Sequence, residues 1–119
     1  MTLIVLEGID KSGKKTQVSI LVERLRSIGR AVEEITFPEY NTLIGNLIKG
    51  YLGGEVDLRP EIRQLLFVAN RWERYEDLTL WLRQGKIVIA DRYTPSGLAY
   101  GSANGLDLEW MMNLERGLP

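Results

Sequence analysis

The run Gly8-Ile9-Asp10-Lys11-Ser12-Gly13-Lys14-Lys15-Thr16 is one letter short of a phosphate-binding loop. In G-x-x-x-x-G-K-[ST] the glycines bend the backbone so that successive N–H groups converge on an anion. The lysine reaches the outer phosphates of a nucleoside triphosphate, and the hydroxyl helps hold its magnesium. Gly8, Gly13 and Lys14 fill their places, whereas Lys15 stands where the hydroxyl belongs. Thr16 comes one position late, and one residue along a helix turns a side chain by about 100°. Three arrangements fit: magnesium held by phosphates, waters and a distant carboxylate; Lys15 supplying part of the charge; or a lowered triphosphate affinity. Magnesium commonly keeps several waters, so the reading here is metal positioning retained but weakened.

Two further groupings could join that loop. Asp91-Arg92-Tyr93 ends an apolar run, and at the carboxyl end of a strand a carboxylate can orient water on magnesium while an arginine fork grips a phosphate. Alone, the three letters describe a surface ion pair equally well. In "LLFVANRWE", residues 65–73, Phe67, Asn70 and Arg71 are spaced by three and four and share one helical face. A ring to stack on and a guanidinium to hydrogen-bond suit a planar base, although Phe67 by itself would read as core. Trp72, Trp81 and Trp110 are read as packing residues.

These groups need elements to carry them. Leu3-Ile4-Val5-Leu6 reads as a strand buried on both faces, and Val18, Leu21, Val22, Leu25 and Ile28 trace an amphipathic helix from Lys14 to about Ile28, stopped by Gly29. Val32 to Phe37 gives a second strand, and "NTLIGNLIKGYL" a second helix ending at Gly53-Gly54. A third helix is expected from Pro60 to about Gln84, then a buried strand from Lys86 to Asp91 and two short helices. Strands alternating with helices imply a parallel sheet with helices on its faces, and no repeat or linker divides the chain. The loop after the first strand and Asp91 after the third then share one sheet edge.

Composition narrows the chemistry. With 45% hydrophobic and 26% charged residues and a net charge of -1, the chain is an ordinary globular protein without a general attraction to nucleic acid or membrane surfaces. It has neither histidine nor cysteine, so disulfides and Cys-based metal sites are excluded, the usual zinc ligands are missing, and carboxylates, lysines and arginines must do the work. "MTLIVLEGID" resembles neither a signal peptide nor a membrane span, which makes the cytoplasm the default expectation.

Taken together, "LEGIDKSGKKTQ", "FPEYNTLIG", "LLFVANRWE", "DRYTPSGLAYGSANGL" and "GLP" resemble the thymidylate kinase family over essentially the whole chain. The resemblance implies a three-layer α/β P-loop NTPase fold, of which residues 1–119 would be the N-terminal part of a single kinase domain, short of later strands, lid and adenine contacts. It implies ATP-dependent phosphorylation of dTMP to dTDP with Mg2+, and a homodimer formed through helices beside the sheet. ATP would lie along Gly8 to Thr16. Asp10 would accept the sugar hydroxyl, Lys14 would bind ATP phosphates, and Lys11 would stabilise the transferring phosphoryl group. Phe37, Pro38, Phe67, Asn70, Arg71, Arg92, Gly97 and Tyr100 would line the dTMP pocket. There Phe67 stacks on thymine, Arg71 bonds its edge, Arg92 clamps the acceptor phosphate and Tyr100 lies beneath the deoxyribose. Asp91 would sit near the metal, through water.

The resemblance departs at Lys15 and at Tyr40, where the family usually has an arginine. A tyrosine donates one hydrogen bond and carries no positive charge. In the family's sheet the first strand is central; without a later neighbour, Leu3 to Leu6 would form an unpaired apolar edge. Two other functions remain: a nucleotide-binding module or fragment without turnover, and another nucleoside monophosphate kinase.

Overall fold

The computed structural model describes residues 2–7 and 13–119, with the side chains at 94–97 and 100 outside the description. Its elements run β1 (Thr2–Leu6), α1 (Lys14–Ser27), β2 (Val32–Thr36), α2 (Leu43–Leu52), α3 (Pro60–Trp72), α4 (Tyr75–Arg83), β3 (Ile87–Asp91), α5 (Thr94–Ala103) and α6 (Leu108–Glu115). The strands form a parallel sheet in the order β1-β3-β2, so the third strand lies between the first two. Their registers coincide: Leu6, Asp91 and Thr36 stand side by side at the carboxyl edge.

Alternation along β3 gives the sheet two covered faces. Ile87 and Ile89 pack with Val18, Val22 and Val32 against α1, while Val88 and Ala90 join Ile35, Phe37, Leu78, Leu82 and Tyr93 on the α4 side. All five residues of β3 are buried, as its run of apolar letters requires. β1 departs from expectation. Its residues from Leu3 to Leu6 are only half-buried, because β1 lies at the margin with β3 on one side. Among the described residues no helix is long and apolar enough to cross a membrane.

The expected helix from Pro60 to Gln84 is two helices. The break at Glu73-Arg74 contains neither glycine nor proline; tertiary partners impose it. Glu73 turns to the start of α2, where it accepts from the Thr42 hydroxyl at 2.6 Å and from Ile44 N–H at 3.2 Å. Arg74 pairs with Glu39 and Asp77, both at 2.9 Å, and lies over the Trp81 ring. The two halves are thereby free to do different jobs. α4 covers the sheet, and α3 packs on α2, α5 and α6.

Candidate active site

The phosphate-loop residues Gly8, Ile9, Asp10, Lys11 and Ser12 lie outside the described residues. Their flanks are defined. β1 leads in at Leu6, and Gly13, with φ 81°, is the N-cap from which α1 starts. A left-handed φ there is one that glycine adopts without strain. No acidic side chain occupies the first turn of α1, so its N-terminal amides and dipole face an electropositive setting made by Lys14 and Lys15. Lys14 Nζ stands 2.7 Å from Asp91 Oδ1. That oxygen is buried and takes no well-directed hydrogen bond among the described residues, so its contact with Lys14 is Coulombic proximity with poor donor geometry. Lys15 and Thr16 point into solvent-exposed positions.

Asp91 is held from both sides of the sheet. Its carbonyl accepts Phe37 N–H at 3.0 Å, and Arg92 N–H donates to Leu6 O at 2.9 Å. Arg92 has φ 66°, the one non-glycine residue with positive φ among those described. Such a conformation is costly for an arginine and marks a place where the chain turns sharply off the strand end. Glu7 closes this turn by accepting from Tyr93 N–H at 2.9 Å. The loop after β1 and the turn after β3 are thus tied at one edge.

The α3 grouping divides. Phe67 is half-buried on α3. Asn70 is buried, and its carboxamide is fully engaged elsewhere. It accepts from Glu39 N–H at 2.7 Å and donates to Glu39 O at 2.9 Å and Glu73 Oε1 at 3.0 Å. It fastens the 37–42 loop, beside which it was expected to line a base pocket. Thr42 caps α2 by accepting Gly45 N–H at 2.9 Å. Its single hydroxyl proton goes to Glu73, at 2.6 Å, ahead of the Glu39 carbonyl at 3.3 Å. Gly45 itself has no room to change, since a Cβ there would stand 1.8 Å from Glu39 O. Phe37, expected in the dTMP pocket, packs in the core. Its ring is buried with Tyr93, centroids 5.5 Å apart, while Pro38 remains half-buried.

Arg71 is buried against α6. Its Nε and Nη2 donate to the two carboxylate oxygens of Glu115, and its Cζ lies 6.0 Å from the Tyr93 ring centroid. Sequence reasoning missed Glu115 and Tyr93 as members of this cluster, because no spacing rule joins residue 71 to residues 93 and 115. Burial pushes the Tyr93 phenol up to about 12, the Arg71 charge opposing and the Glu115 charge adding to the shift. The phenol oxygen has no hydrogen-bond partner among the described residues. Gly97 and Tyr100 fall on α5; the Tyr100 side chain and the surroundings of Gly97 are outside the description.

This geometry meets the comparisons with known proteins. The family model described as thymidylate kinase matches residues 6–119. The chain belongs to the thymidylate kinase family. It is 44% identical over 117 residues to the thymidylate kinase of Schizosaccharomyces pombe and 46% identical over 118 residues to that of Danio rerio, covering 98% of this chain and 56% of each relative. The solved thymidylate kinase of Candida albicans superposes with a TM-score of 0.85 at 36% identity, over 99% of this chain and 58% of that one. The corresponding structure from Ehrlichia chaffeensis gives 0.85 at 32% identity, over 99% and 68%. The chain therefore spans a little over half the length of the curated thymidylate kinases it matches, and it has the parallel, helix-flanked sheet of the P-loop NTPase fold.

Proposed function

We propose that these residues carry the phosphate loop and most of the acceptor pocket of an enzyme that phosphorylates dTMP to dTDP with ATP, as the N-terminal part of a single kinase domain. The observation that supports it most is the Lys14–Asp91 contact of 2.7 Å, which gathers a triphosphate-binding lysine and a buried carboxylate at one sheet edge. Catalysis in such a site is alignment and charge neutralisation: two phosphate groups are held for in-line attack, and the protein forms no covalent bond. Lys14 holds the ATP phosphates, and Lys11 spreads the charge that develops on the transferring group. Arg92 holds the acceptor phosphate, Asp10 and Tyr100 hold the deoxyribose beside Gly97, and Phe67 and Arg71 take the base.

The donor set suits Mg2+ carried in by ATP. Among the described residues no cluster of three or more carboxylates exists, and Asp91 offers a single buried oxygen without a well-directed hydrogen bond. One carboxylate together with phosphates and waters is a common magnesium environment. Asp91 would hold the ion through water, and the ion would neutralise phosphate charge. A homodimer is part of the same reading, supported by Leu43, Leu47, Ile62 and Leu65, exposed apolar side chains on α2 and α3. A cytoplasmic location is part of the same reading.

A binding module without turnover is the second reading, favoured by Lys15 in the hydroxyl's place and by exposed Tyr40 in place of an arginine. Calorimetric titration of the 119-residue chain with dTMP and dUMP, with and without ATP and magnesium, separates the possibilities. Preferential dTMP binding supports the pocket, and ADP formation in the same mixture selects the kinase over the module. A folded sample that binds no dTMP overturns the assignment for this chain.

A further inference from the structure

The guanidinium of Arg71 is held along one edge and on one face. Glu115 engages it in a two-toothed, side-on contact through Nε, at 3.3 Å, and Nη2, and the Tyr93 ring lies against its face. Both members of the ion pair are withdrawn from water. An apolar pair of similar volume would fill such a space at lower desolvation cost, so packing alone gives a poor account of it. A guanidinium has five N–H groups in a fixed fork. Glu115 occupies the edge of that fork formed by Nε and Nη2, which leaves Nη1 outside this contact. Phe67 precedes Arg71 by one helical turn on α3, so a ring plane and the remaining edge of the fork share one side of the helix.

We propose that Glu115 is a positioning residue for substrate recognition: by gripping the Nε edge of Arg71 it sets the Nη1 edge to meet the carbonyl edge of a pyrimidine lying on Phe67. This rests on the dTMP reading above and adds to it the residue that orients the base-reading arginine. The fork is planar and its donors are fixed relative to one another, so fixing one edge fixes the direction of the other. The contact links the end of α6 to α3, which gives the segment 108–115 a part in specificity without its touching substrate. The opposite role, a carboxylate that competes with the base for the same guanidinium, predicts the reverse effect on affinity.

The test uses the 119-residue chain, its Glu115→Gln and Glu115→Asp variants, and both again in an Arg71→Met background. Glu115→Asp keeps the charge while shortening the reach, and it keeps the test open where Glu115→Gln fails to fold. The Nε–H resonance of Arg71 in 15N-labelled protein should be sharp and slowly exchanging in the parent and lost in both variants. Affinity for dTMP should fall about tenfold or more, as for loss of a charged hydrogen bond. In the Arg71→Met background the same substitutions should change dTMP affinity by less than about twofold. Unchanged or tighter dTMP binding in a folded variant overturns the proposal, as does an equal loss in the Arg71→Met background. A parent that binds no dTMP overturns the function reading instead. Even then, a protected Nε–H that Glu115→Asp abolishes upholds the ordering of Arg71, and an unprotected one overturns it.

Discussion

Two ion pairs flank the candidate site, and they are built differently. Lys14–Asp91 joins a flexible ammonium to one carboxylate oxygen, with side-chain exposures of 13% and 9%. Arg71–Glu115 joins a planar fork to both oxygens of its partner, with exposures of 4% and 8%. An ammonium is a point charge on a long stem and can change partners without losing geometry; a two-toothed guanidinium contact cannot be shared without being broken. The first pair suits a cation that must hand itself to incoming phosphates. The second suits a fixture. Similar burial and opposite sign of charge thus do not define a role; the number of teeth and the freedom of the stem do.

The largest expected effect tests that distinction directly. Arg71→Met removes the guanidinium that faces the Glu115 carboxylate and should lower the unfolding free energy by about 3–5 kcal/mol. Lys14→Met leaves Asp91 without a facing ammonium and should cost about 1–2 kcal/mol. Urea denaturation reads both, and equal losses would break the comparison. For triphosphate affinity the order reverses, with Lys14→Met abolishing the binding that Arg71→Met leaves intact.

A smaller effect sharpens the contrast between fixtures and contacts. Asn70→Ala removes the bonds that hold Glu39 at 2.7 and 2.9 Å. It should destabilise by about 2 kcal/mol and speed amide hydrogen exchange at Glu39, with exchange unchanged in β3. Faster exchange throughout the sheet would mean that Asn70 supports the fold at large and not the loop.

The smallest effect concerns Tyr93. Its phenol is held up at about 12 by burial, against 10.0 when free, so the folded state keeps the proton more tightly than the unfolded state. That contribution to stability is complete below pH 10, and it is lost as pH rises from there through about 12. Absorbance titration of the five tyrosinates should show one late step coincident with unfolding. Tyr93→Phe removes an unpartnered hydroxyl, abolishes that step and raises stability by up to about 1 kcal/mol. A marked loss of stability would reveal a partner for the hydroxyl.

How far the site was legible in the sequence depends on what each residue answers to. The strand and helix at the N-terminus follow local rules, and so does β3, whose apolar run is buried throughout, while residues 8–12 of the glycine loop lie outside the described residues. The break at Glu73-Arg74 answers to Thr42, Glu39 and Trp81, which lie far away in sequence, and no local propensity marks it. Asn70 and Phe37 answer to distant neighbours as well: Glu39 and Glu73 for the first, Tyr93 for the second, none of which a local pattern names. Arg71 has the right type and helical face, yet the carboxylate that orients it comes from another helix.

The strand order carries a consequence for synthesis. Neither β1 nor β2 pairs with the other; every sheet hydrogen bond between strands involves β3. A ribosome delivers about 5–20 residues per second, so β2 waits several seconds for Asp91 to emerge. Through that interval the apolar runs around Leu3 and Val32 have no sheet to enter, and nascent chains on neighbouring ribosomes offer them the wrong strand. Slowing translation within residues 37–86 should therefore raise aggregation during synthesis, while the same slowing after residue 91 should not.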